Sequence, residues 1–256
     1  MNSILEEDIK NIADSKLVNW EEFNNKSILI TGATGLICSI MIKAFCKKKL
    51  NLKMYLLVRN KENAKQMYGE NENIEYIESS IENFNVEDIK VDYIIHAASP
   101  TKSKFFVEKP VETLNTAVLG TKNILEFAKN IGIKSMVYLS SMEMYGTMND
   151  ENVTEEKLGY INTLNVRSSY SEGKRVCELY CYSYRKEYGV PVKIARIAQT
   201  FGAGISKNEN RVYKIFADAV INKENIVLKS KGTTIINYSY TTDTSSFIKR
   251  KKWRSL

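Results

Sequence analysis

A serine pair and a tyrosine–lysine pair are the residues of this chain whose types and spacing could do proton chemistry. Ser140-Ser141-Met142-Glu143 closes an apolar stretch, and Tyr170-Ser171-Glu172-Gly173-Lys174 opens a helical one. A spacing of four places Tyr170 and Lys174 on one helix face. A phenol is protonated at neutral pH, and a neighbouring ammonium lowers its pKa, so Tyr170 is a candidate to take a proton from a substrate hydroxyl. Ser141 is the candidate to hold that hydroxyl. One Tyr-x-x-x-Lys among 15 tyrosines carries little alone. Its weight comes from its place after a strand that ends in serine. Glu143 is a further candidate base, the alternative being a solvated loop carboxylate.

A second constellation lies upstream. Thr31-Gly32-Ala33-Thr34-Gly35-Leu36-Ile37-Cys38 sits between an apolar run and a helical stretch. Gly32 allows a tight turn, and Gly35 has no Cβ to keep a pyrophosphate from the N–H groups that open the helix. This is the placement of a dinucleotide turn, with NAD or NADP as the expected cofactor.

The elements that must position both sets alternate between strand and helix patterns. Apolar runs are expected as strands at 27–31, 54–58, 74–77, 91–98, 135–141 and 192–197, and helices at about 36–48, 107–130 and 168–188. Continuous apolar strands separated by helices predict an α/β fold, a doubly wound parallel sheet of Rossmann type with helices on both faces. Residues 1–25 read as an added helix packed outside the sheet. Residues 26–200 read as the NAD(P)-binding domain, and residues 201–256 as a small, incomplete substrate lobe.

With these residues in view, TGATGLI resembles the TGxxGxxG turn of the extended short-chain dehydrogenase/reductases, specifically their NAD-dependent epimerase/dehydratase branch. Cys38 stands where that family usually has a third glycine packing helix on strand. The resemblance covers about residues 15 to 243 and implies further contacts. Gly32, Thr34, Gly35, Leu36 and Ile37 would hold the pyrophosphate, and Arg59 and Asn60 would follow the second strand. Ser80 and Ile81 would sit beside the adenine, and Ala97, Ala98 and Ser99 would pass the cofactor. Arginine at 59 can pair with the 2′-phosphate of NADP where an acid would bind the ribose of NAD; the alternative is that it faces solvent. Asn115 is expected at a buried water near the site or in packing, and His96 in a structural or cofactor-side role.

In this family the serine four residues before Tyr145 is catalytic, which falls on Ser141. Glu143 matches the base of sugar 4,6-dehydratases; Met142 replaces the acid that precedes it in many of them. Arg196-Ile197-Ala198-Gln199-Thr200-Phe201-Gly202 resembles the R-x-x-N-x-[YF]-G segment of the nucleotide-sugar subgroup. Met142 and Gln199 are therefore expected beside the substrate together with Ser141. The run Val166–Arg175 is similar to bacterial proteins of surface-polysaccharide clusters. What the resemblance implies is a nucleotide-sugar epimerase or dehydratase of dTDP-glucose 4,6-dehydratase type, working through transient oxidation at sugar C4 and supplying polysaccharide precursors. An NADPH-dependent carbonyl reductase, or a cofactor-binding remnant without turnover, are the alternatives. The helices at about 107–130 and 168–188 imply a homodimer through a four-helix bundle.

Composition bounds the remaining classes. The net charge of +7 comes from scattered lysines without a stacking motif, which reads away from nucleic acid. No apolar run approaches the ~20 residues of a membrane span. The four cysteines and single histidine fit no metal spacing, and the polar N-terminus is not a secretory signal, so the expected compartment is the cytoplasm. The ending, residues 244–256, departs from the family pattern. Residues 251–256, Lys-Lys-Trp-Arg-Ser-Leu, are what a family-like Lys-Asn-Gly-Glu-Ala-Tyr-Asn strand gives when its coding is read one base early. A frame change just after Asp243, with loss of the rest of the substrate lobe, is the expectation.

Overall fold

A computed structural model describes residues 3–86, 88–148, 153–206, 208–228, 231–232 and 235–248. Six parallel strands form the central sheet: β1 (Lys26–Thr31), β2 (Leu52–Val58), β3 (Ile74–Glu78), β4 (Tyr93–His96), β5 (Ser135–Ser141) and β6 (Val192–Ile197). Their order is β3-β2-β1-β4-β5-β6, so the chain reverses direction across the sheet between β1 and β4. In such sheets ligands bind outside the carboxyl ends of the strands at the reversal. Both constellations sit there, since β1 leads into the glycine turn and β5 ends in Ser141.

The two faces of β1 show why the strand is continuously apolar. Ile28 and Ile30 pack into one core with Met41, Phe45 and Leu139, and Leu29 into the other with Ile124, Leu125 and Tyr138. On the first face lie α1 (Ser3–Ala13), which contributes Ile9 and Ile12, and α2 (Leu36–Lys48). On the second lie α5 (Pro110–Ile131) and α6 (Ser168–Tyr188), with α3 (Lys61–Tyr68) and α4 (Ser103–Glu108) in the connections.

The helix expected over 107–130 is two helices. Pro110 opens α5 at its first position, where a missing N–H costs nothing, and Lys109 ahead of it adopts φ −136° and ψ 57°. The strand expected over 91–98 stops at His96. Three-residue strands β7 (Gln199–Phe201) and β8 (Tyr238–Tyr240) pair in parallel beyond the main sheet, followed by α7 (Val212–Asn222) within the connection and α8 (Thr241–Ile248) after it. Ile248 joins the core with α1 and α2, and Tyr240 donates its hydroxyl to Asp8 at 2.9 Å. Residues 249–256, which include the frame-shifted reading of 251–256, lie outside the described residues.

Candidate active site

The glycine turn is held by backbone sterics. Gly32 has φ +67°, and a Cβ there would lie 2.8 Å from the carbonyl carbon and oxygen of Ala97. Gly35 precedes α2, which has no side-chain cap and no acid in its first turn. The first bond into the helix runs from Ser39 N–H to the Gly35 carbonyl at 2.8 Å. The Leu36 and Ile37 N–H groups therefore precede the ladder, at the positive end of the helix dipole. Thr34 and Gly35 are exposed, and Leu36 and Ile37 half-buried. Cys38 is buried with its Sγ 3.8 Å from the Thr31 carbonyl, so a small thiol fits the helix–strand contact. Tyr68 donates to the Ala33 carbonyl at 2.5 Å, a brace on the turn that nothing in the sequence signalled.

Beside the turn, Thr31 ties β1 to the end of β4. Its Oγ1 accepts from the N–H groups of Ala97, at 3.1 Å, and Ala98, at 3.0 Å. With both lone pairs used, its proton goes to His96 Nδ1 at 2.7 Å. His96 then carries its own proton on Nε2 and donates it to Thr121 Oγ1 at 3.0 Å. The ring is fully buried, and burial, aided by the positive charge of Lys174, pushes its pKa down to about 3. His96 is thus a neutral structural pin, and the two backbone N–H groups taken by Thr31 are why β4 ends where it does.

The adenine-side residues divide. Arg59 and Asn60 are exposed at the end of β2, and Asn60 Oδ1 caps α3 by accepting from Asn63 N–H at 2.7 Å. Ser80 leads into a turn whose Ile81 side chain is buried against Gly120, where a Cβ would stand 2.7 Å from Ile81 Cγ2. Asn123 Nδ2 donates to the carbonyls of Ile81, at 3.1 Å, and Glu82, at 2.7 Å. Asn115 is a correction. It is exposed, because Thr113, Ala117, Gly120 and Ile124 form the inward stripe of α5 and position 115 is about 200° round from 113. Neither a buried water nor core packing is available to it there. Ala97, Ala98 and Ser99 are half-buried at the sheet edge, and Ser99 Oγ is shielded from solvent without a hydrogen-bond partner among the described residues. A glycine cradle, an uncapped helix start and an unsatisfied hydroxyl beside them are a donor set that suits a dinucleotide.

The proton-transfer residues converge at the end of β5. Tyr170 is nearly buried, its ring stacked on Phe106 at 4.3 Å and 8°. Burial raises its pKa above the ordinary phenol value, while the neighbouring Ser141 hydroxyl opposes that rise. Lys174 lies one turn on, buried, donating to the Leu139 carbonyl at 2.8 Å, with its Nζ 4.8 Å from the Tyr138 ring and 5.8 Å from that of Tyr170. Burial lowers its pKa to about 8, which leaves it mostly an ammonium at pH 7. The helix that carries both residues packs on α5 through Gly173, whose missing Cβ would touch Ala117 and Leu114.

Glu143 is neither bare nor simply solvated. Arg167 Nη2 meets its Oε2 at 2.8 Å, and Ser141 Oγ accepts its backbone N–H at 3.2 Å. Met142 opens the same turn, and Gln199 is half-buried in β7, paired with Tyr238. Arg196 serves the scaffold: it grips buried Glu178, which also accepts from Ser140 at 2.5 Å, and lies over the Tyr145 ring. Sequence reasoning missed Arg211, which lowers the Tyr170 pKa from the loop before α7 and donates to the Thr101 carbonyl at 3.3 Å. A separate cleft of about 630 Å³ lies between Asn11, Arg196 and Asp243, and Ser141, Tyr170 and Lys174 do not line it. Among the described residues no helix is long and apolar enough to cross a membrane.

A dinucleotide-type turn and a serine–tyrosine–lysine set, both at the reversal of one parallel sheet, define a Rossmann-type chain of the short-chain dehydrogenase/reductase class. A model of the NAD dependent epimerase/dehydratase family matches residues 28–250, and the chain belongs to that family. It is similar to UDP-glucuronic acid decarboxylase 1 of Xenopus tropicalis, 33% identical over 226 residues, covering 87% of this chain and 52% of the relative. The chain thus spans about half the length of that curated relative. Among solved structures it resembles the UDP-N-acetylglucosamine 4-epimerase of Methanobrevibacter ruminantium M1 in complex with UDP-N-acetylmuramic acid, with TM-score 0.76 and 22% identity over 87% of this chain and 71% of that one. It also resembles the UDP-glucuronic acid 4-epimerase of Bacillus cereus in complex with UDP-glucuronic acid and NAD, with TM-score 0.72 and 20% identity over 86% and 70% of the two chains.

Proposed function

We propose that the chain carries the catalytic half of an NAD-dependent enzyme that remodels a nucleotide-diphosphate sugar, with UDP-glucuronic acid as the first substrate to test. The observation that carries this reading is the convergence of Ser141, Tyr170 and buried Lys174 beside the glycine turn. The curated relative is a UDP-glucuronic acid decarboxylase, and a solved neighbour was captured with UDP-glucuronic acid, which supports the choice of sugar. Gly32, Gly35 and the start of α2 would hold the pyrophosphate, and Ala97 to Ser99 would border the ring. When bound, NAD supplies the hydride acceptor for the sugar carbon. In this reading Ser141 orients the hydroxyl on that carbon, Tyr170 takes its proton, and Lys174 stabilises the phenolate. Glu143 would remove a proton beside the resulting carbonyl if the outcome is dehydration, as with a dTDP-glucose-type substrate feeding polysaccharide synthesis.

The test is incubation with UDP-glucuronic acid, UDP-glucose or dTDP-glucose and either NAD or NADP, followed by mass spectrometry for mass changes and proton NMR for epimers. Loss of carbon dioxide, loss of water, or an epimer of unchanged mass each supports the reading and fixes the reaction. Retained cofactor with every sugar unchanged opposes it. Exposed Arg59 makes the NADP arm informative, since its guanidinium can meet a 2′-phosphate.

The assembly expected from such a chain is a homodimer through α5 and α6. These helices pack on each other and leave Val111, 63% exposed, and Leu179, 65% exposed, facing outward. Sedimentation of the wild type is expected to show a dimer, and Leu179→Glu a monomer. A monomeric wild type would remove the proposal.

A further inference from the structure

The start of α6 holds an arrangement that the proton-transfer scheme does not use. Arg167 stands immediately before the helix, its backbone N–H fixed by Asn165 Oδ1 at 3.0 Å. Its guanidinium does two things at once. Nη2 pairs with Glu143 Oε2 at 2.8 Å, and the group lies 5.2 Å from the centre of the Phe106 ring. Phe106 is 1% exposed and stacks in parallel on Tyr170. Arg167 and Tyr170 therefore share one buried aromatic neighbour, while Glu143 bridges back toward Ser171, whose Oγ lies 3.5 Å from the same Oε2.

We propose that Arg167 is a positioning residue that keeps the Glu143 carboxylate paired and turned aside, and so shields Tyr170 from the negative charge beside it. The charged groups around Tyr170 come from four places: Lys174 on its own helix, Glu143 on the turn after β5, Arg211 on the loop before α7, and Arg167 itself. Glu143 drives the Tyr170 pKa up, and Arg211 and Arg167 drive it down. Where burial already raises a phenol's pKa, an unbalanced carboxylate is the least tolerable neighbour, because two negative charges in a poorly solvated site repel strongly. A guanidinium suits the task better than an ammonium. It can grip a carboxylate and lie flat on a ring at the same time, and it does not lose its proton. At 36% and 31% side-chain exposure the pair also stays open to solvent, so Glu143 is held without being sealed off.

The inference deepens the functional reading above, since it assigns Arg167 to the service of Tyr170 as the proton acceptor. Its test does not need turnover. Protein labelled with ¹³C at the tyrosine ring carbon bearing oxygen is titrated at low salt, and Tyr170→Phe identifies the Tyr170 signal. Arg167→Met is expected to raise the Tyr170 midpoint by about half a pH unit or more. A transition pushed beyond the accessible range counts as that rise. Adding Glu143→Gln to Arg167→Met is expected to return the midpoint to the wild-type value or below it, and Arg167→Lys to place it between wild type and Arg167→Met. Arg167→Gln replaces the Met variant in the same comparison if the latter does not fold. A midpoint unmoved by losing Arg167, or one that stays high after Glu143 is also removed, overturns the assignment. Should every nucleotide sugar prove inert, the titration still decides the pairing, so failure of the functional reading and failure of this one are told apart.

Discussion

Replacing Tyr170 by phenylalanine is expected to lower turnover of the nucleotide sugar by about 10²- to 10⁴-fold, the range for losing a general acid–base group, while leaving cofactor binding close to wild type. The ring would stay stacked on Phe106 in the same pocket, so the pocket wall does not change. What is lost is one hydroxyl, the group that Ser141 acts on to oppose the rise in its pKa. Among the described residues no other hydroxyl replaces it in this geometry. The Tyr138 ring lies as close to Lys174, but its hydroxyl is fully buried without a partner among the described residues. Steady-state rates and cofactor titrations on the two proteins, with folding checked by circular dichroism, make the comparison. Turnover within tenfold of wild type would remove Tyr170 from the role assigned to it.

The second large effect is on stability, and it belongs to the only histidine of the chain. In the unfolded chain His96 titrates near its ordinary value of 6.5, and in the folded protein burial holds it down to about 3. Below pH 6.5 the unfolded state binds a proton that the folded state refuses. Stability from this group is therefore complete above about pH 6.5 and is lost progressively as pH falls toward 3. The slope is about 1.4 kcal/mol per pH unit, or roughly 2 kcal/mol between pH 6.5 and 5. Urea unfolding across that range should show this loss in wild type. His96→Gln is expected to be less stable at pH 7, because Thr31 and Thr121 lose a partner, yet to show a much flatter pH dependence. An equal slope in both proteins would mean that the neutral pin is not what the acid attacks.

Much of this architecture can be read from the chain, and the parts that cannot have physical reasons. The bounds of α2 and α6 follow from the glycine turn ahead of one and the glycine at 189 behind the other, which adopts a left-handed conformation. The end of β4 was not legible, because it depends on Thr31, 66 residues away, taking the Ala97 N–H. The break before α5 could have been read from Pro110, and the outward place of Asn115 from counting helical phase against Thr113 and Ala117. The small β7–β8 pair joins three-residue segments with no periodicity to detect. In the site, Tyr170 and Lys174 announce themselves by spacing. Arg167, Phe106 and Arg211 do not, since tertiary packing sets the contacts of Arg167 with Glu143 and of Phe106 with Tyr170 and brings the charge of Arg211 within reach of Tyr170.

The most direct measurement of the central claim is a proton NMR time course of UDP-glucuronic acid with NAD, wild type beside Tyr170→Phe. The account predicts that the sugar resonances decline in the wild-type sample as those of a new UDP-sugar grow, and that they persist in the variant. Resonances unchanged in both samples, with NAD demonstrably bound, would contradict it, as would equal conversion by the two proteins.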